Sequence, residues 1–169
     1  MKPVYRGVAV AVLQCLIVLS LAGKYAIDRD RLPRAWARAL PVDPNLPIRG
    51  RYVSLRLEVE RVDGEIPPPG SAGPNRWPQT AAGPVQLSAQ DGMLVATPSA
   101  GSETLLSGAG NRWSLWEPVA FFIPEHVPDP SRRAAGEQLW VEVSVPRKGP
   151  PRPLRLGVKK DGVLTPLDL

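Results

Sequence analysis

Residues 51–60 run Arg51-Tyr52-Val53-Ser54-Leu55-Arg56-Leu57-Glu58-Val59-Glu60, and their alternation decides the fold. Successive strand residues point to opposite faces, so Val53, Leu55, Leu57 and Val59 share one side while Ser54, Arg56, Glu58 and Glu60 share the other. One face enters a core and one meets solvent. The same period returns at 139–145, with Leu139, Val141, Val143 and Val145 opposed to Trp140, Glu142 and Ser144. Segments 85–90 and 93–97 flank Asp91-Gly92, and 154–159 and 163–167 flank Asp161-Gly162. A two-residue Asp-Gly link predicts a β-hairpin, because a type I′ turn needs positive φ at both positions. Pro166 limits the final strand. Segments 112–116 and 119–123 are aromatic and apolar, and they read as core strands interrupted by Pro118. Many short strands with few helices predict a mainly β fold: a small β-sandwich or open barrel with long Pro/Gly-rich loops.

Between these strands lie punctuated stretches. Residues 41–48 hold three prolines and read as an extended approach. Residues 61–84 and 99–111 are rich in Pro, Gly and other small residues and read as loops. Within the first, residues 66–69 suit a polyproline II docking segment as well as an ordinary exposed loop. Residues 129–138 read as a short helix or turn exposing Arg132 and Arg133.

Outward toward the N-terminus the chemistry changes. Residues 7–23, GVAVAVLQCLIVLSLAG, carry no charge between Arg6 and Lys24. As a helix they span roughly 26 Å at ~1.5 Å per residue, just short of a ~30 Å hydrocarbon core. Snorkelling Arg6 and Lys24, with Tyr5 and Tyr25 at the interfaces, absorb that mismatch. Two readings stay open: a retained anchor, or a signal cleaved after Ser20-Leu21-Ala22. The length of the apolar run favours the anchor. Orientation is contested by charge, since Lys24, Arg29, Arg31, Arg34 and Arg38 outweigh Lys2 and Arg6, whereas a short N-terminal tail before one apolar segment favours export. The expected organisation is an anchor or signal-anchor at 1–23, a juxtamembrane connector at 24–40 broken by Pro33, and a β-rich domain at 41–169. Arg34, Trp36 and Arg38 of that connector suit the headgroup level or a solvated link equally.

A chain of 169 residues, 43% hydrophobic, is long enough for one core beyond the anchor. Its net charge of +5 is spread along the sequence, without the basic cluster and interleaved aromatics that nucleic acid demands. The single cysteine, Cys15, lies within the apolar run, which rules out an intramolecular disulfide; Gln14 before it departs from lipoprotein processing. No Cys/His zinc cluster, phosphate-cradling loop, dinucleotide glycine fingerprint or nucleophile elbow occurs. Neither a metal nor a cofactor is expected. Lys148, Lys159 and Lys160 lack a serine-lysine motif, and the single histidine, His126, adjoins Glu125 on a strand end where neighbours point apart.

Two segments together resemble a known family. Ile48-Arg49-Gly50-Arg51-Tyr52-Val53-Ser54-Leu55-Arg56-Leu57, preceded by Pro41-Val42-Asp43-Pro44, is similar to the signature of the GDYXXLXY family of membrane-anchored bacterial proteins. Gly50, Tyr52 and Leu55 match, while Arg51 replaces the aspartate and Leu57 the final tyrosine. Phe121-Phe122-Ile123-Pro124-Glu125 resembles a later family segment. The resemblance implies an N-terminal anchor, a periplasmic domain at the bacterial inner membrane and a multi-pass membrane protein as neighbour; it implies no reaction. Physically, Gly50 supplies a positive φ or a close backbone approach, and Tyr52 packs its ring while its hydroxyl finds a partner.

The sequence therefore leads to an expected noncatalytic, membrane-anchored accessory or interaction subunit, with Tyr52, Trp116 and Glu125 as interaction candidates. The alternatives are a peptide-, glycan- or lipid-binding module using Trp77, Trp113, Trp116 or Trp140, and a membrane-associated hydrolase.

Overall fold

The computed structural model describes residues 3–42, 52–66, 82–109 and 112–168. Gly50, Arg51, Trp77 and the polyproline stretch 67–69 lie outside the described residues. The chain divides into two compact units, Met1–Leu32 and Pro33–Leu169.

The first unit is a single helix, α1 (Pro3–Arg31). Its apolar side chains are exposed, Leu19 at 66% and Val18 at 63%. Gly7–Asp28, with a mean hydropathy of 2.0, is long and apolar enough to cross a membrane. It is thus a candidate membrane anchor or signal. No helix breaker follows Lys24, so the helix runs on to Arg31 and stops before Pro33, whose ring clashes with a preceding turn.

The second unit is mainly β, and six of its strands close into a barrel. The barrel comprises β1 (Arg34–Val42), β2 (Tyr52–Val59), β4 (Ala82–Gln90), β5 (Met93–Pro98), β6 (Leu105–Ala109) and β7 (Arg112–Leu115). Around the ring, β1 pairs with β2, β2 with β7, β7 with β6, β6 with β4 and β4 with β5, all antiparallel. A short parallel contact, Trp36 opposite Met93, returns β5 to β1 and closes it. Full closure removes open sheet edges from the ring. The short β3 (Arg61–Val62) continues the line of β2 alongside β5. The remaining strands are β8 (Val119–Phe122), which pairs with β2, and β9 (Gln138–Ser144), β10 (Arg152–Lys160) and β11 (Val163–Pro166), which extend the sheet from the outer edge of β1.

The alternation in β2 does what the sequence demands: Leu55 and Leu57 are fully buried. Each such leucine contributes roughly 1.5–3 kcal/mol relative to exposure. Both Asp-Gly links turn tightly, with φ of 51° and 75° at Asp91 and Gly92 and of 49° and 83° at Asp161 and Gly162. Of the short helix or turn expected over 129–138, residues 129–137 take the turn form and Gln138 begins β9.

Three expectations need correction. Residues 34–40 are not a connector: they belong to β1, a barrel strand whose Ala35, Ala37 and Ala39 face the core. Small side chains there leave room for the leucines opposite, as a narrow barrel requires. The loop expected over 99–111 contains β6, which pairs with both β4 and β7. The loop expected over 61–84 is bounded by β3 and by the start of β4.

Candidate functional site

Two surfaces gather the chemistry-bearing side chains of the β domain. The first is built by β2 and β8. Their antiparallel register sets Tyr52 opposite Phe122, Val53 opposite Phe121, Ser54 opposite Ala120 and Leu55 opposite Val119. Residues 52–55 and 119–122 are therefore neighbours across the sheet. Cross-strand partners share a face, so Leu55 and Val119 enter the core while Tyr52 and Phe122 stand outside it. Their ring centroids lie 6.0 Å apart at an interplanar angle of 52°, a tilted aromatic pair. Phe122 is 70% exposed. Leu40 of β1, 36% exposed, lies on the same outer face through its partner Arg56. Among the described residues β8 pairs with β2 alone, which leaves its other side without a strand.

The remaining candidates do not join this pair as a reactive group. Leu55 is fully buried and structural. Trp116 is half-buried at the end of β7, and its backbone N–H donates to Leu105 O at 2.9 Å. Glu125 and His126 occupy an exposed turn after β8. Glu125 has an interaction of its own. Among the described residues, no three His, Cys, Asp or Glu side chains gather as a metal-binding set.

The second surface joins two tryptophans that the sequence offers as binding candidates, Trp113 and Trp140, to three residues that it does not, Trp36, Arg38 and Glu58. The β1–β2 ladder stops at Ala39 opposite Leu57, and Trp36 bridges to β5 instead. Where the strands fork, a groove of about 200 Å³ opens, lined by Trp36, Arg38, Glu58, Trp113 and Trp140 among others. Arg38 and Glu58 face each other across it at 3.2 Å. Trp36 packs within the β domain: its ring reaches β10, where a Cβ added at Gly157 would lie 2.9 Å from its Cζ3. Arg155 stacks 5.5 Å from the Trp36 centroid and donates from Nε to Glu142 Oε2 at 2.6 Å. Lys159 stands 4.6 Å from the centroid of Trp140, which is only 5% exposed. These cation–π contacts and the Glu142 ion pair fix the tryptophans as a rigid wall. Trp113 shares a face with Val59 and packs against the core, as expected for one of the two roles considered for it. A signal existed in the sequence: Trp36 and Trp140 each alternate with core residues, but their proximity depends on the β1–β9 pairing, which local sequence does not reveal.

Comparison with protein-family models, with characterised proteins and with solved structures finds no match.

Proposed function

We propose that this chain is a noncatalytic, membrane-anchored protein that serves as an accessory or interaction subunit of a membrane complex. α1 holds it in a bacterial inner membrane, and its β domain lies in the periplasm beside a multi-pass protein. The observation that carries this reading is the Tyr52–Phe122 pair. An aromatic ring that is 70% exposed on a strand braced by a closed barrel presents a large apolar contact at small conformational cost, the character of an interface anchor. The apolar Gly7–Asp28 segment and the match of Gly50, Tyr52 and Leu55 to the GDYXXLXY signature support the same reading. Affinity capture of the full chain from native membranes, repeated across detergents of different harshness, tests it. Recovery of the chain alone in every detergent contradicts an accessory role. Alkaline phosphatase fused after Leu169 tests the orientation, and an inactive fusion contradicts export.

A second reading has its own support in the fork groove. Tryptophan rings beside an Arg38–Glu58 pair suit a small polar ligand, a glycan or a peptide, which stacks on an indole and exchanges hydrogen bonds with the pair. A change in tryptophan fluorescence on adding glycan or peptide fragments, lost in Arg38→Ala, supports it; an unchanged spectrum at saturating ligand contradicts it.

A further inference from the structure

The β9–β10 loop carries a pair of cations at the place where the domain is tied to α1. β1 starts three residues after α1 ends, with only Leu32 and Pro33 between Arg31 and Arg34. Two residues reach no more than about 7 Å. The Pro33 carbonyl accepts a hydrogen bond from Val145 N–H at 2.9 Å, so the tether point is pinned to the end of β9. Immediately beyond Val145 the chain runs Pro146-Arg147-Lys148-Gly149-Pro150-Pro151 into β10. Arg147 and Lys148 are exposed, and neither makes an ion pair among the described residues.

The loop is stiff by composition. Three prolines fix φ, Pro151 is buried, and Gly149 turns the chain at φ 87°, a conformation that other residues resist. Holding two cations in a rigid loop lowers the entropic cost of using them. Arg34 and Arg152 flank the same end, both paired in register with Ser144; each has an interaction of its own, so the patch is carried by Arg147 and Lys148. Asp91, in the β4–β5 turn beside Trp36, is an acidic group on the other edge of β1. At the opposite end of the same strands the cations are engaged: Lys160 pairs with Glu137 at 3.6 Å, and Lys159 stands over Trp140.

We propose that Arg147 and Lys148 form a second membrane contact, docking the β domain on the anionic phospholipid headgroups beside its own anchor. The proposal rests on the anchor reading of α1. Positive charge meets a negative surface, and a tether of two residues keeps that loop close to the bilayer in which α1 sits. The anchor raises the effective concentration of the surface, so even a modest attraction holds the domain down.

The test uses the full chain in lipid nanodiscs, one set of phosphatidylcholine alone and one also containing phosphatidylglycerol. Co-elution of the chain with discs reports the anchor. Modification of lysines by a water-soluble amine reagent, read by mass spectrometry, reports docking, with Lys159 and Lys160 as internal controls. Lys148 is expected to react about fivefold more slowly in the anionic discs, with the difference abolished by high salt and reduced in Arg147→Gln. The control lysines should react equally in both. A chain that fails to co-elute overturns the anchor and this proposal together. A chain that co-elutes, but whose Lys148 reacts at the same rate in both discs, overturns the docking alone.

Discussion

Tyr52 and Phe122 are direct cross-strand partners whose ring centroids lie 6.0 Å apart, although one opens β2 and the other ends β8, far downstream. The pair stands on the outer face of strands whose inner face, through Leu55 and Val119, builds the core. The proposed contact surface and the core thus use alternate residues of the same two strands, and mutation can separate them.

Phe122→Ala should weaken partner association by about 30-fold or more, the scale of an interface hot spot. Thermal unfolding should move little, because an exposed ring adds little to a core. Co-purification yield and melting temperature, measured on the same preparation, check both halves.

Leu55→Ala should have the opposite profile. Truncating this fully buried leucine costs about 2–5 kcal/mol. Chemical denaturation of the full chain in detergent should show a large fall in midpoint, with association following folding rather than failing on its own.

Gly157→Ala places a methyl group 2.9 Å from Trp36 Cζ3 and 3.2 Å from the Thr165 carbonyl oxygen. The backbone oxygen cannot give way cheaply, so Trp36 must move, at a cost of about 1–3 kcal/mol. A shift in tryptophan emission together with a lowered unfolding midpoint is the expected signature.

Arg155→Ala removes both the partner of the largely buried Glu142 carboxylate and the cation over Trp36. Because the Arg155 side chain is 52% exposed, screening reduces the loss below that of a fully buried pair, to about 1–2 kcal/mol. Glu142→Gln should cost less, since it leaves no unpaired buried charge. Denaturation of the two variants side by side decides the order.

The parts of this fold that were legible share a physical cause. β2 and β9 alternate large apolar residues with polar ones, and the Asp-Gly turns require a backbone conformation that few residue pairs supply. β1 was hidden because its core positions are alanines. Arg34-Ala35-Trp36-Ala37-Arg38-Ala39 has the strand period, but alanine is weakly hydrophobic and the best helix former, so burial in the barrel overrides local propensity. β6 was hidden for a related reason: Leu105-Leu106-Ser107-Gly108-Ala109 has no alternation, and its pairing is set by β4 and β7. Of the surfaces, Tyr52 was visible as a candidate, but its facing of Phe122 was not, and the Trp36–Arg155–Glu142 cluster depends wholly on strand order. Local sequence specifies which face a residue occupies; the neighbour across the sheet is decided by topology.

The proposed contact joins the β domain to a membrane partner through the Tyr52–Phe122 face. A photo-crosslinking phenylalanine analogue installed at position 122 of the full chain, irradiated in native membranes, tests it most directly, with the same analogue at position 165 on β11 as control. One discrete adduct, with an integral membrane protein as the partner, is expected from position 122, and none from position 165. A chain that sediments with the membrane yet gives no adduct from position 122 contradicts it.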